Sequence, residues 1–335
     1  MTRRLVVMAA SAGGIEALQN VVGGLPADFD APVLVVLHMP AGGGGGALPR
    51  ILDRAGSLPA AAASDGEPLE PAHIYVCVAD RHLLVGEGHL HVRRGPRENG
   101  HRPAADPLFR SASLYYGPRA IGVVLSGSLS DGTAGLLAIR RQRGIAVVQD
   151  PNDALYDGMP TSALEYAGAD HVVPAAEIGP LLSRLVKEDP PVAGPPPPEH
   201  VRKEVAIMED LDEVLSDDEH PGEPSPWPCP DCSGVLWQID EGDMVRFRCR
   251  VGHAWSADDL LHVQSTAIES ALWMALRSLE DRAALSRALA ERALQEGRTI
   301  SAHRFESDSE EIEEHVRVLR ELLQSKRPSE IEGIS

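Results

Sequence analysis

Between Leu5 and Val173 the chain alternates short, largely apolar runs with stretches in which apolar residues recur at helical spacing. The runs LVVMA (Leu5–Ala9), PVLVVL (Pro32–Leu37), HIYVCV (His73–Val78), AIGVVL (Ala120–Leu125), IAVVQ (Ile145–Gln149) and HVV (His171–Val173) have no consistent polar face. Strands of that kind belong in a parallel sheet covered by helices on both sides. Segments such as GGIEALQNVVGGL and DGTAGLLAIRRQRG lie between them, and the alternation predicts an α/β domain. Its sheet should be doubly wound and mainly parallel, in three Rossmann-like layers. HLLVGEGHLHVRR places two strand-like runs around Gly86-Glu87-Gly88 and predicts an inserted antiparallel hairpin.

The pattern changes after residue 187. Glu188–Pro198, with its PP and PPPP runs, reads as a stiff linker. The acidic segment that follows reads as a flexible tether with at most a short helix near Val201–Met208. Ser256 and Asp259 have capping-box spacing and should open a helix reaching about Glu296. Gly297 ends it, and Glu310–Leu323 predicts a second, shorter amphipathic helix. The expected organisation is an α/β domain over 1–187, a linker over 188–226, a small Cys/His module over 227–255, and a helical hairpin or coiled-coil-like tail over 256–325.

Composition sharpens this division. The 335 residues carry a formal net charge of −19. Residues 1–189 hold 16 Lys+Arg against 20 Asp+Glu, and residues 190–335 hold 15 against 30, so most of the acidity lies in the second part. Such a charge repels a phosphate backbone, which argues against a nucleic-acid partner. No stretch reaches the roughly 20 apolar residues of a membrane span. Ser11, Gly13 and Gly14 interrupt any signal-like run at the start. The expectation is a soluble cytoplasmic protein without membrane insertion. Four cysteines, three of them clustered, suit a reducing compartment and a metal site rather than a disulfide framework.

In open α/β sheets chemistry gathers beyond the carboxyl ends of the strands. Ser11 follows the first strand in AASAGG, His38 ends the second in VVLHM, and Asp131 follows AIGVVL in LSGSLSDGTAG. Each has an ordinary structural reading: Ser11 or Asp131 as a helix cap, His38 as a hydrogen-bonded strand-end residue. Together they are what a serine nucleophile needs, a base to take its proton and a carboxylate to orient the base. Ala12-Gly13-Gly14, heading a helix, would offer backbone N–H groups to an oxyanion. The run Gly42–Gly46 lacks G-x-G-x-x-G spacing and an acidic ribose partner. It either lets a loop bend over a protein substrate or simply connects.

These residues resemble the catalytic domain of CheB-type chemotaxis protein-glutamate methylesterases. That family carries its nucleophile in G-A-S-T-G-G, its histidine in V-V-Q-H-M and its aspartate in L-T-G-M-G-x-D-G. The resemblance extends through Ala79–Leu83, Asp106–Ala112, Val148–Pro151 and Gly158–Pro160, over about residues 4–186. It implies hydrolysis of glutamate γ-methyl esters, and deamidation of glutamines, on methylated chemoreceptors or similar signalling proteins. Ser11 would be the nucleophile, His38 the base and then acid, and Asp131 its orienting partner, with no cofactor for catalysis. Ala12, Gly13, Gly14, His82, Ser128 and Met159 are candidate oxyanion or groove residues, although for His82 a hydrogen-bonded hairpin histidine is the favoured alternative. Ala12 replaces the motif's Thr, and Ser128-Leu129 replace its Met-Gly pair. The familiar architecture places a phosphoacceptor receiver domain before the esterase, whereas ten residues precede Ser11 here. The expectation is therefore that no such switch acts in cis.

Cys229, Cys232, Cys249 and His253 follow a C-x2-C-x16-C-x3-H spacing across the paired runs VLWQID and MVRFRCR. Two short-spaced ligand pairs at tight turns suit tetrahedral zinc, and four ligands leave no open position, so the metal would be structural. A redox pair or unligated cysteines are the alternatives. The module and long helix are expected to serve targeting, regulation or self-association. Two functions follow: a serine methylesterase acting on a protein, or an adaptor that keeps the fold and binds through the same groove without catalysis.

Overall fold

A computed structural model describes residues 4–39, 46–192, 194–209 and 222–325. The chain divides into two compact units, Met1–Leu260 and Leu261–Ser335. In the first, β1 (Leu5–Ala10), α1 (Gly14–Gly23), β2 (Val33–Leu37), α2 (Ala47–Ala55), β3 (Ala60–Ala62) and β4 (Ile74–Val76) come first. The hairpin β5 (His82–Val85) and β6 (Leu90–Arg93) follows, then α3 (Ala105–Tyr116), β7 (Ala120–Val124), α4 (Thr133–Arg141) and β8 (Ile145–Gln149). α5 (Gly158–Ser162), β9 (His171–Val173) and α6 (Ala175–Leu185) complete the series.

Seven strands form one parallel sheet in the order β3-β4-β2-β1-β7-β8-β9. Six of them are the apolar runs of the sequence; the seventh, the all-alanine edge strand β3, carries no β-type signal. Alternation along β1 shows the layering. Val6, Met8 and Ala10 face a core shared with Leu18, Val21, Leu52 and Leu182 on α1, α2 and α6. Leu5, Val7 and Ala9 face Leu108, Phe109, Leu136 and Ile139 on α3 and α4. Each such fully buried Val, Leu, Ile, Met or Phe side chain contributes about 1.5–3 kcal/mol relative to exposure. The chain leaves β1 toward β2 and later returns to β7 on the other flank of β1. The topological switch therefore opens a crevice at the carboxyl ends of β1, β2 and β7.

The first unit continues beyond the linker. α7 (Glu199–Glu209) is a packed helix rather than part of a loose tether, with Glu204 fully buried. The rest of the acidic segment, residues 210–221, lies outside the described residues, as do residues 40–45 and with them most of the Gly42–Gly46 run. β10 (Glu223–Pro228), β11 (Val235–Glu241), β12 (Met244–Cys249) and β13 (Ala254–Ser256) form an antiparallel sheet in sequence order. Gly242 makes the β11–β12 turn at φ 72°, a conformation glycine adopts without strain. Six buried charges join this part of the unit to the rest. Glu98, Glu204 and Glu241 stand against Arg110, Arg246 and Arg248, three carboxylates for three guanidiniums.

α8 (Ala257–Gln295) opens on Ser256 as expected, with one half of a capping box: the Asp259 N–H donates to Ser256 Oγ at 3.0 Å, while the Ser256 N–H goes to the Asn99 side chain. α9 (Thr299–Ser325) begins eleven residues before the expected Glu310. The missing turns were hidden because their apolar positions, Ala302 and Phe305, are spaced among polar ones. In the second unit Leu276, Ala283, Ile312 and Val316 form the seam, flanked by Leu279, Leu319 and Leu323. Those positions follow the alternating three- and four-residue spacing of a coiled coil. Ile268, Trp273 and Met274 on α8 are exposed. Among the described residues no helix is long and apolar enough to cross a membrane.

Candidate active site and metal centre

Ser11, His38 and Asp131 meet in the crevice. The backbone sets their approach: Ser11 N–H donates to Ser126 C=O at 2.9 Å and His38 N–H to Ala10 C=O at 3.1 Å, tying the three strand ends together. Ser11 Oγ lies 3.0 Å from His38 Nδ1. His38 Nε2 lies 2.6 Å from Asp131 Oδ2. With Nε2–H donating to the carboxylate, the Nδ1 lone pair faces the serine hydroxyl.

The Asp131 carboxylate is buried at the N-terminus of α3. Its Oδ2 accepts the Ala105 N–H at 2.6 Å, and its Oδ1 accepts the Asp106 N–H at 3.3 Å and the Asn99 amide at 3.2 Å. Burial by itself raises such a group; the His38 hydrogen bond and charge, with the Ala105 N–H, outweigh it and hold the carboxyl well below its ordinary range. The Ala105 and Asp106 N–H groups have no acceptor within α3, so the anion takes the place of one, and the helix dipole favours it there. Burial, and then the Asp131 charge, push the neighbouring Asp106 carboxyl up. The pocket thus favours one negative charge over two.

Sequence reasoning missed two residues in this shell. His101 stacks on His38, with ring centroids 3.8 Å apart and planes inclined by 14°. Burial and the adjoining His38 lower its pKa to about 4, so it stays neutral. Asn99, at φ 51°, supplies the amide to Asp131. The Asn99-Gly100 pair is a turn signal in the sequence, but nothing local says that this turn reaches an aspartate 32 residues away.

The groove candidates separate. Gly13, the N-cap of α1, has φ 69°, and a Cβ there would meet Ser126 Oγ at 2.8 Å and Leu155 Cβ at 2.9 Å. The Gly14 N–H is taken by Ser11 C=O at 3.0 Å, so it is not available to a substrate oxygen. Ala12 accepts the Ser126 hydroxyl on its carbonyl. Met159 is fully buried beneath the serine turn: a Cβ at Gly127 would meet both Met159 Sδ and Ser11 Cβ. Ser128 is exposed. His82 does not line the groove. It is fully buried, Nε2 donating to Pro96 C=O at 2.9 Å and Nδ1 accepting the Ala104 N–H at 3.3 Å, which is the hairpin reading. Beside Ser11 an open groove of about 500 Å³ is walled by Ile15, Gln19, Leu37, Met39, Ile51 and Leu155.

Over residues 6–182 the chain matches the family model described as CheB methylesterase. It belongs to the CheB methylesterase family. A protein-glutamate methylesterase/protein-glutamine glutaminase of Caulobacter vibrioides is 38% identical over 183 residues, 53% of this chain and 52% of the relative. One from Anaeromyxobacter dehalogenans is 43% identical over 172 residues, 51% of this chain and 50% of the relative. The chain thus spans about half the length of the curated relatives it matches. The crystal structure of the Thermotoga maritima CheB methylesterase catalytic domain superposes with a TM-score of 0.53 at 33% identity, covering 56% of this chain and all of that one. The matched CheB region ends before α7 and the Cys/His strands.

In those strands the four sequence candidates converge. One ligand atom from each of Cys229, Cys232, Cys249 and His253 lies within 4.8 Å of every other. Cys232 Sγ and Cys249 Sγ are 3.6 Å apart, and His253 Nδ1 stands 3.5 Å from Cys249 Sγ and 3.8 Å from Cys229 Sγ. A tetrahedron with bonds of about 2.0–2.3 Å has edges of this length. The group could hold a metal, with Nδ1 as the ligating nitrogen and Nε2 directed at Asp231 Oδ2, 4.0 Å away.

Proposed function

We propose that this chain is a serine hydrolase that demethylates glutamate γ-methyl esters, and deamidates glutamines, on chemoreceptor-type signalling proteins. The observation that carries the reading is the unbroken contact chain from Ser11 Oγ through the His38 ring to a buried Asp131 carboxylate. The names of the relatives supply the ester and amide substrates.

In this reading Ser11 Oγ attacks the ester carbonyl while its proton passes to His38 Nδ1. The imidazolium is held by Asp131 through Nε2–H, and the Ala12 and Gly13 N–H groups at the head of α1 face the developing oxyanion. His38 returns the proton to the leaving methoxide, and methanol departs from a glutamyl ester of Ser11. Water then attacks this acyl-enzyme, again giving its proton to His38. Glutamate is released as Ser11 Oγ recovers a proton. With a glutamine substrate, ammonia leaves in place of methanol. The apolar groove wall suits the flank of a receptor helix on which such a glutamate sits.

Ser11→Ala should abolish methanol release from methylated receptor, by at least about 10³-fold, without changing the melting temperature. Unchanged turnover would remove the triad reading. A serine-directed phosphonate should label Ser11 in the wild type alone. The adaptor reading has no observation in its favour.

We also propose that the metal is zinc and structural. Three thiolates and one imidazole are a common zinc set, and they fill all four tetrahedral positions.

A further inference from the structure

We propose that the Cys3His module is a positioning part of the esterase, acting through the turn Arg97–His101 to hold both His38 and Asp131. The inference rests on the triad reading and goes beyond it, because the module lies outside the matched family region.

The fourth ligand, His253, leads directly into β13. That strand grips the turn by its backbone. Ala254 N–H donates to Arg97 C=O at 3.2 Å, and Asn99 N–H donates to Ala254 C=O at 2.8 Å. Ser256 N–H then donates to the Asn99 side-chain oxygen at 2.9 Å. With its oxygen fixed, the Asn99 amide has one orientation, and its Nδ2 meets Asp131 Oδ1. The turn closes on itself through paired backbone bonds between Glu98 and His101, and so presents the His101 ring that stacks on His38. Glu98 is locked from below by Arg248 of β12, one residue before the ligand Cys249. A second strut reaches the other side of the aspartate. Ser130, its neighbour in sequence, bonds to Ser256 Oγ at 2.7 Å and to the Asp259 carboxylate.

The physical consequence is specific. Asp131 must hold the imidazole in one tautomer and one plane. Three of the four hydrogen bonds on its carboxylate come from His38 and from the first turn of α3; the fourth, from Asn99, depends on β13. His38 likewise has a ring against one face whose position depends on the same turn. Loosening the metal centre frees His253 and with it β13. The turn then loses its register, and the ring of His38 is no longer confined to the line from Ser11 to Asp131.

The test compares wild type, Cys232→Ser and Asn99→Ala, each as the full chain, with a methyl-ester substrate. Cys232→Ser and chelator-treated wild type should lose at least about tenfold in kcat with KM changed by less than about twofold, because base orientation rather than binding is impaired. Asn99→Ala should lose a similar factor, and stripping its metal should cost it little more, since the two act along one path. The downfield resonance of the His38 Nε2 proton should broaden or shift in all three. Should metal loss unfold the chain, Asn99→Ala alone decides, with Asn99→Asp as the control that keeps the side-chain oxygen for Ser256 but removes the amide. Full activity and an unchanged His38 resonance in Asn99→Ala, or additive losses in the stripped variant, would overturn the coupling. An inactive metal-replete wild type would instead overturn the methylesterase reading, and the two failures are therefore distinct.

Discussion

Leu129 holds φ 65° two residues before the catalytic-type aspartate, at a position where the family motif has glycine. A branched residue in the left-handed region costs about 1–2 kcal/mol, and the flanking Gly132 already supplies the turn's other positive φ. Leu129→Gly should therefore stabilise the fold by about 1 kcal/mol, read as a higher urea midpoint at constant slope. His101 gives a pH dependence. Its folded-state pKa is lowered from 6.5 to about 4 by burial and by His38, so between those values the unfolded chain binds more protons than the folded one. Stability then rises with pH across that window and is lost on acidification, by up to about 3 kcal/mol from this residue. His101→Gln should flatten the fall in melting temperature between pH 7 and pH 4; an identical slope would show that the ring titrates freely.

At the scale of elements, α3 and α7 do the joining. The first turn of α3 receives Asp131, and its Arg110 meets both Glu98 and Glu204. α7 brings Glu204 against Arg246 at 2.9 and 3.0 Å and against Arg248 at 3.1 Å. Removing one member of a buried, balanced set leaves charge without a partner, which is costlier than never having buried the pair. Glu204→Ala should destabilise the first unit by about 3–5 kcal/mol, measured by calorimetry. A loss below 1 kcal/mol would mean that water reaches the guanidiniums.

For the whole molecule, the division into Met1–Leu260 and Leu261–Ser335 separates two kinds of stability. The first unit draws on a sheet core and, in the proposed reading, on zinc. The second is a helical pair held by a narrow seam of leucine, alanine, isoleucine and valine. Elemental analysis should find one zinc per chain. A strong chelator should lower the melting transition of the first unit while the helical signal of the hairpin persists. Zinc-free protein with unchanged melting would refute the assignment.

Much of this was legible in order along the chain. The parallel strands showed because burial on both faces demands continuous apolar runs, as in Leu5–Ala10 and Val33–Leu37. The Cys/His cluster showed because its two short-spaced pairs have the spacing that a tetrahedral ion requires, and Ser11, His38 and Asp131 showed as candidates because strand ends concentrate in one crevice. What the chain could not reveal were contacts whose partners are distant and whose local signals are ordinary. Ala60–Ala62 is a strand only because β4 offers it an edge. His82 had two readings along the chain, a hydrogen-bonded hairpin histidine or a groove residue, and only packing, which turns its ring toward Pro96, separates them. Asn99, His101 and Ser256 acquire meaning only when β13 is laid beside the Arg97–His101 turn. The amino-acid sequence by itself determined the layers and singled out the Cys/His cluster and the Ser11, His38 and Asp131 candidates, because periodicity and spacing are local properties. Tertiary structure alone decided which surface packs around Asp131 and His38, because hydrogen bonds spanning 32 and 157 residues are set by docking, not by any pattern in the chain.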